Sequence, residues 1–223
     1  MKPSMQDLLQ RPEMKLLQSP EWRLSNLYRI KDKTGQSVIF KPNWAQQKLM
    51  KPHTLNIILK ARQLGVTTFH ALAFLDKCLF VPNVHAAIIA DAKVVAKEIF
   101  VDKVKYAYDN LPEPFKALNP AFRDNAQELR FQNGSVFRVG TSMRGGTTQF
   151  LHITEFAKIC QDNPKKAAEV MSGAINTVQA GQFICIESTA RGRDGFFYDI
   201  CQEAINAKES GRELGILDWK FWF

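Results

Sequence analysis

The sequence predicts an α/β domain with a mainly parallel central sheet covered by helices on both faces. Three observations predict it. The runs "LNIIL", "AAIIA" and "FICI" are short and unbroken in apolar character, as strands buried on both faces are. Longer helical patterns alternate with these runs, the order that produces parallel pairing. Only one stretch, "ELRFQNGSVFRVG" (128–140), alternates about an Asn-Gly turn and reads as a hairpin.

The elements follow in order. Residues 1–34 are polar, with prolines at 3, 12 and 20, and read as short peripheral helices. "GQSVIF" (35–40) is a short strand, and "KPNWAQQKLM" (41–50) a turn into a brief helix capped by Asn43. "TLNIILK" (54–60) is a buried strand, followed by a loop and a helix at 68–81 that is apolar on several sides. "VHAAIIA" (84–90) is a second buried strand, and Asp91 is placed to cap the helix 92–110. After the hairpin come a strand at 148–154, a helix at 163–179 opened by Pro164, a strand at 181–189 and an amphipathic helix at 195–209.

Bulk composition bounds the function. A chain of 223 residues with 45% hydrophobic and 23% charged residues can bury a sizeable core. Its apolar stretches are too short to span a bilayer, and "MKPSMQDLLQRPEMK" lacks the continuous apolar core of a signal peptide. Four widely spaced cysteines without C-x-x-C, and four histidines without H-E-x-x-H, predict a reduced cytoplasmic protein with no structural metal. The net charge of +8 and pI near 9.4 suit a polyanionic partner, but the charge is spread along the chain and does not by itself single out nucleic acid.

In parallel α/β sheets ligands bind at the carboxyl ends of strands. Four such ends carry chemistry here. The first is "LKARQLGVTTF" (59–69), which aligns with G-x-x-x-x-G-K-[ST] when Gly65 takes the second glycine. Val66 then stands at the lysine position and Thr67 at the magnesium-binding hydroxyl. Gly65 and the helix N-terminus can supply backbone N–H groups to phosphate, and the missing cation could be Lys60 or Arg62. A strand, a one-glycine turn and a helix also make an ordinary structural element, so this loop alone decides nothing.

The second end is "FLHITE" (150–155), with Glu155 where a carboxylate would orient an attacking water and Thr154 where an aspartate would organise magnesium. The third is "IEST" (186–189), whose Ser188 and Thr189 could sense a terminal phosphate or simply stabilise a turn. The fourth is "TSMRGGTT" (141–148), in which Arg144 lies on a glycine-flanked loop, as an arginine finger does. Their joint placement at the ends of one sheet favours nucleotide chemistry.

The segments "FKPNWAQQKLM", "LNIILKARQLGVTT", "AAIIADAKVVAKEIF", "MRGGTTQFLHITEFAKI" and "ICIESTARGRDGFFYDI" together resemble the N-terminal ATPase domain of tailed-phage and prophage terminase large subunits. The resemblance runs from about residue 36 to 200, and "KARQLGVTT" is its most specific piece. It implies a P-loop NTPase of the additional-strand, catalytic-glutamate (ASCE) type, with a β-hairpin insertion near 128–140. It implies an ATPase domain at 35–217, a peripheral segment at 1–34, and the start of a linker at 218–223. The adenine-binding glutamine carries over to Gln46, with Gln47 as the other choice. The phosphate loop carries over to Lys60, Ala61, Arg62, Gln63, Leu64, Gly65, Val66, Thr67 and Thr68, with the lysine moved to the loop's start. The catalytic glutamate carries over to Glu155, the coupling motif to Ser188, Thr189 and Ala190, and the inter-subunit arginine finger to Arg144.

The implied cofactors are ATP and Mg2+, the metal being held through Thr67, Thr154 and water. The implied partners are double-stranded DNA, a portal protein on a procapsid, a small terminase subunit and further copies of the chain. Those copies would form a ring, a pentamer, from subunits that are monomeric in isolation, with no membrane, in the cytoplasm of the bacterial host. Thr154 departs from the family's aspartate. The chain also stops at "LDWKFWF", before the family's nuclease domain, so no nuclease activity is expected of these residues. Two rivals are a helicase-like DNA translocase and a non-catalytic DNA- or portal-binding module with a decayed nucleotide site.

Overall fold

A computed structural model describes residues 16–125, 127–143, 147–175, 178–179 and 181–223. The first helix, α1 (Pro20–Asn26), starts at Ser19, whose hydroxyl accepts from the Trp22 N–H, and proline sits in its first turn. A strand not anticipated from the sequence, β1 (Arg29–Lys31), pairs antiparallel with β2 (Ser37–Ile39). Helix α2 (Trp44–Leu49) begins with a full capping box: Asn43 accepts from the Gln46 N–H, and Gln46 accepts from the Asn43 N–H.

Among the described residues the main sheet has eight strands. These are β3 (Leu55–Leu59), β4 (His85–Ile89), β5 (Ala121–Asn125), β6 (Glu128–Phe131), β7 (Val136–Gly140), β8 (Phe150–Ile153), β9 (Phe183–Ser188) and β10 (Trp219–Trp222). Their spatial order is β10-β3-β9-β8-β4-β7-β6-β5. Pairing is parallel from β10 through β7, and β6 and β5 run antiparallel at one edge. β9 is therefore the additional strand between the loop strand β3 and the glutamate strand β8, as the expected fold class requires. The hairpin turns at Gly134, which adopts φ +83°, and its second strand β7 is integral to the sheet beside β4. Residues 218–223, expected to begin a linker, include the edge strand β10 beside β3.

Side chains alternate across each strand, so the sheet has two cores. Ile58, Ala86, Ile88, Val139 and Cys185 face helix α3 (Val66–Phe80), meeting Leu72, Leu75 and Cys78. Ile57, Ala87, Ile89, Leu151, Ile153, Ile184 and Ile186 face α7 (Phe156–Asp162) and α9 (Gly195–Glu209), meeting Phe156, Ile159, Phe197 and Cys201. Further helices are α4 (Lys93–Ile99), which continues through a π-helical stretch Phe100–Lys105 into α5 (Tyr106–Asp109), then α6 (Glu113–Leu118) and α8 (Pro164–Glu169), which continues into a π-helical stretch Val170–Ala174. Asp91 does not cap α4, whose N-cap is Ala92 without a side-chain bond. Its carboxylate is instead drawn to Lys158 of α7. Among the described residues, no helix is long and apolar enough to cross a membrane.

A buried ion pair fastens α1 to α3. Arg23 is 5% exposed and Asp76 1% exposed. The guanidinium donates from Nε to Oδ1 at 2.8 Å and from NH2 to Oδ2 at 2.6 Å, and the Tyr28 hydroxyl donates to Oδ1 at 2.9 Å. Removing one partner strands the other charge in the core, so Asp76→Ala is expected to lower unfolding free energy by about 3–5 kcal/mol. Urea denaturation checks this, and Arg23→Met with Asp76→Leu is expected to recover most of the loss because neither charge is then stranded.

Candidate nucleotide site

The loop between β3 and α3 is shaped by its backbone. Gln63 and Gly65 both take positive φ, 64° and 70°, and Gly65 is the N-cap of α3 with no side-chain cap. The helix starts at Val66, so the first N–H groups of α3 are left for a ligand at the loop rather than a capping side chain. Gln46 holds this conformation from α2. Its Nε2 donates to the Gly65 carbonyl at 2.9 Å, while its Oε1 accepts from the Asn43 N–H at 2.9 Å. Each end of this buried amide is thus engaged in one bond. Gln47 is exposed, its Nε2 donating to the Pro42 carbonyl.

Three strand ends meet beside the loop on the face covered by α3. Lys60 follows β3, Thr154 follows β8, and Glu187 lies near the end of β9. Lys60 Nζ is 3.0 Å from Glu155 Oε1 and 3.3 Å from Glu187 Oε2. Arg62 is exposed on the loop. Glu155, the N-cap of α7, has φ 53° and ψ 41°, a left-handed conformation uncommon for a non-glycine residue and typical of functional sites. The Ser188 and Thr189 hydroxyls donate to its Oε2 at 3.5 and 3.4 Å. Lys60, Thr67, Thr154, Glu155, Ser188 and Thr189 are therefore brought together. Thr68 is half-buried on α3 and Ala190 is exposed beyond β9. Arg144 lies outside the described residues.

Glu187 was given no role from the sequence, yet it is the hub of the cluster. It is 0% exposed. Its Oε1 accepts from the Thr67 and Thr154 hydroxyls, each at 2.6 Å, and has His152 Nε2 at 3.4 Å. Burial pushes its carboxyl up, but His152, Lys60 and the Thr154 hydroxyl outweigh this and hold it down at about 2. Burial likewise lowers Lys60, but the Glu187 and Glu155 carboxylates carry it above the ordinary lysine value. Both groups are charged at neutral pH. The available signal was a carboxylate inside the apolar run "FICIES", where no solvent reaches it.

His70, His152 and Cys185 lie behind this cluster with ligating atoms within 4.8 Å of one another. The two imidazoles stack with centroids 4.4 Å apart at 15°, so their in-plane lone pairs run side by side instead of converging. His70 Nδ1 is also engaged with the Val66 carbonyl at 3.0 Å. Burial, and then the neighbouring His152, push His70 down to about 3, which keeps it neutral.

A Cβ at Gly65 would lie 2.6 Å from Gln46 Nε2, and the backbone there is left-handed. Gly65→Ala is therefore expected to cost about 1–3 kcal/mol of stability. Thermal denaturation checks this.

No family model and no curated protein matches the chain by sequence. Solved structures match it by shape. The Thermus phage P74-26 large terminase ATPase domain is 19% identical with a TM-score of 0.57, and the match covers 82% of this chain and 80% of that one. The HK97 bacteriophage large terminase is 16% identical with a TM-score of 0.65, over 86% of this chain and 42% of that one. The chain has the fold of the ATPase domains of phage large terminases.

Proposed function

We propose that this domain binds and hydrolyses ATP as the motor that drives double-stranded DNA into a viral procapsid. The observation that carries the proposal is Lys60, a lysine set before the turn, whose ammonium reaches the strand ends between Glu155 and Glu187. The loop thereby gains the cation that Val66 cannot supply. The shared fold with two phage terminases supports the same reading.

In this mechanism the backbone from Ala61 to Thr67 wraps the phosphates, and Lys60 turns from the carboxylates to neutralise them. Glu155, held by Ser188 and Thr189, is the base that orients water for in-line attack on the terminal phosphate. The same hydroxyls couple Glu155 to β9, so a change at the phosphate reaches the sheet through Ser188 and Thr189. The Thr67 and Thr154 hydroxyls are hard oxygen donors that fit Mg2+, which when bound with the nucleotide neutralises phosphate charge. Arg144 completes the site of a neighbouring copy in a ring, a pentamer, so a single isolated copy turns over slowly. The motor's partners are the portal, the small terminase subunit and DNA, in the cytoplasm of the bacterial host. Gln46 acts first as the residue that holds the loop, with Gln46 or Gln47 at the adenine.

Equilibrium binding of a fluorescent ATP analogue and steady-state ATPase test this reading. Lys60→Ala is expected to weaken binding by about 10- to 100-fold, the worth of a charge-assisted bond, while Arg62→Ala spares it. Glu155→Ala is expected to retain binding and lower turnover by about 10²- to 10⁴-fold. A wild-type protein that neither binds nor hydrolyses ATP, even when assembled on a procapsid, would leave the non-catalytic binding module standing. Loss of binding in Arg62→Ala alone would transfer the cation's role to Arg62.

A further inference from the structure

We propose that the divalent cation bound with the nucleotide is held by Glu187 and Thr67, the carboxylate coming from β9 because β8 offers only Thr154. The inference rests on the nucleotide-binding reading above and names a ligand for that site.

Register makes the substitution possible. Ile153 of β8 pairs with Ile186 of β9, so the next residues, Thr154 and Glu187, stand side by side on the face beneath α3. The Thr154 hydroxyl donates to Glu187 Oε1 at 2.6 Å. A carboxylate at 154 would put two negative groups at that distance, so one of the two strands can carry the charge and the other must carry a donor. Here β9 carries it.

The oxygens are already arranged as a cation would need them. Thr67 Oγ1 and Glu187 Oε1 are 2.6 Å apart. Adjacent ligands of an octahedral Mg2+ with bonds of about 2.1 Å lie about 3 Å apart, a small opening from this geometry. Hydroxyl and carboxylate are both hard oxygens, and one or two carboxylates with phosphate and water make up the usual Mg2+ shell.

The remaining oxygen of Glu187 meets an ion pair but no hydrogen bond. Oε2 is buried and accepts no hydrogen bond; Lys60 Nζ is 3.3 Å away. Lys60 is also engaged with Glu155, leaving two carboxylates to share one ammonium. A divalent cation on Glu187 supplies the missing positive charge and frees Lys60 for phosphate.

The experiment measures Mn2+ binding by EPR on the full chain with AMP-PNP, together with fluorescent nucleotide affinity in EDTA and in Mg2+. In the wild type, Mg2+ is expected to tighten the nucleotide. Glu187→Gln is expected to lose about tenfold or more in Mn2+ affinity and most of the Mg2+ enhancement, measured against its own nucleotide affinity in EDTA. Thr154→Asp combined with Glu187→Gln is expected to restore both by returning the carboxylate to β8. Wild-type Mn2+ affinity in a folded Glu187→Gln overturns the inference while leaving the nucleotide reading intact. A wild type that binds no nucleotide in either buffer overturns both. If Glu187→Gln does not fold, Glu187→Asp keeps the charge but withdraws it by one methylene. A fall in Mn2+ affinity then supports ligation, and an unchanged affinity overturns it.

Discussion

One buried carboxylate, Glu187, ties the loop helix α3 to the sheet. Through its Oε1 it accepts from Thr67 of α3 and Thr154 beyond β8, and through its Oε2 it faces Lys60 beyond β3. An ionised group with no exposure is tolerated only where neighbours compensate it, and the compensating groups here come from three parts of the chain, around β3, α3 and β8. That requirement fixes the loop's distance from the sheet. It also explains why Thr67 is not used as a helix cap: its hydroxyl is committed to Glu187, and Gly65 takes the cap position with a left-handed backbone.

Around this hub the chain concentrates strain and charge at one end of a well-packed sheet. Glu155 adopts left-handed backbone at the start of α7, and Gln63 and Gly65 do so in the loop. Such conformations persist where surrounding structure over-determines them, and the two cores on either face of the sheet provide that support. In the proposed reading Lys60, at the end of β3, supplies the cation that Val66 cannot, and Glu187, on β9, supplies the carboxylate that Thr154 cannot.

Much of this was legible in the sequence because it is local. The apolar runs marked β3, β4 and β9. "NPKK" and "PNWAQQ" marked helix starts at Pro164 and Asn43, and the loop and Glu155 could be read at strand ends. What was not legible depends on non-local pairing. Glu187 acquires its place only when β9 inserts between β3 and β8 and its register sets it beside Thr154. Asp91 looked like a cap from its neighbours in sequence, but Lys158, distant in the chain, claims its carboxylate. β1 and β10 are short edge strands with half-buried or exposed residues, and their apolar patterns are too brief to announce them.

The central claim is that these strand ends form a working nucleotide site whose charge has been relocated rather than lost. A crystal structure with AMP-PNP and Mn2+, phased to show anomalous scattering, tests it most directly. The account predicts the triphosphate wrapped by residues 61–67, Lys60 Nζ turned from the carboxylates to a phosphate oxygen, and a manganese peak bonded to Thr67 and Glu187. Nucleotide bound elsewhere, or Lys60 still paired with Glu155 and Glu187 beside an ordered triphosphate, would contradict it.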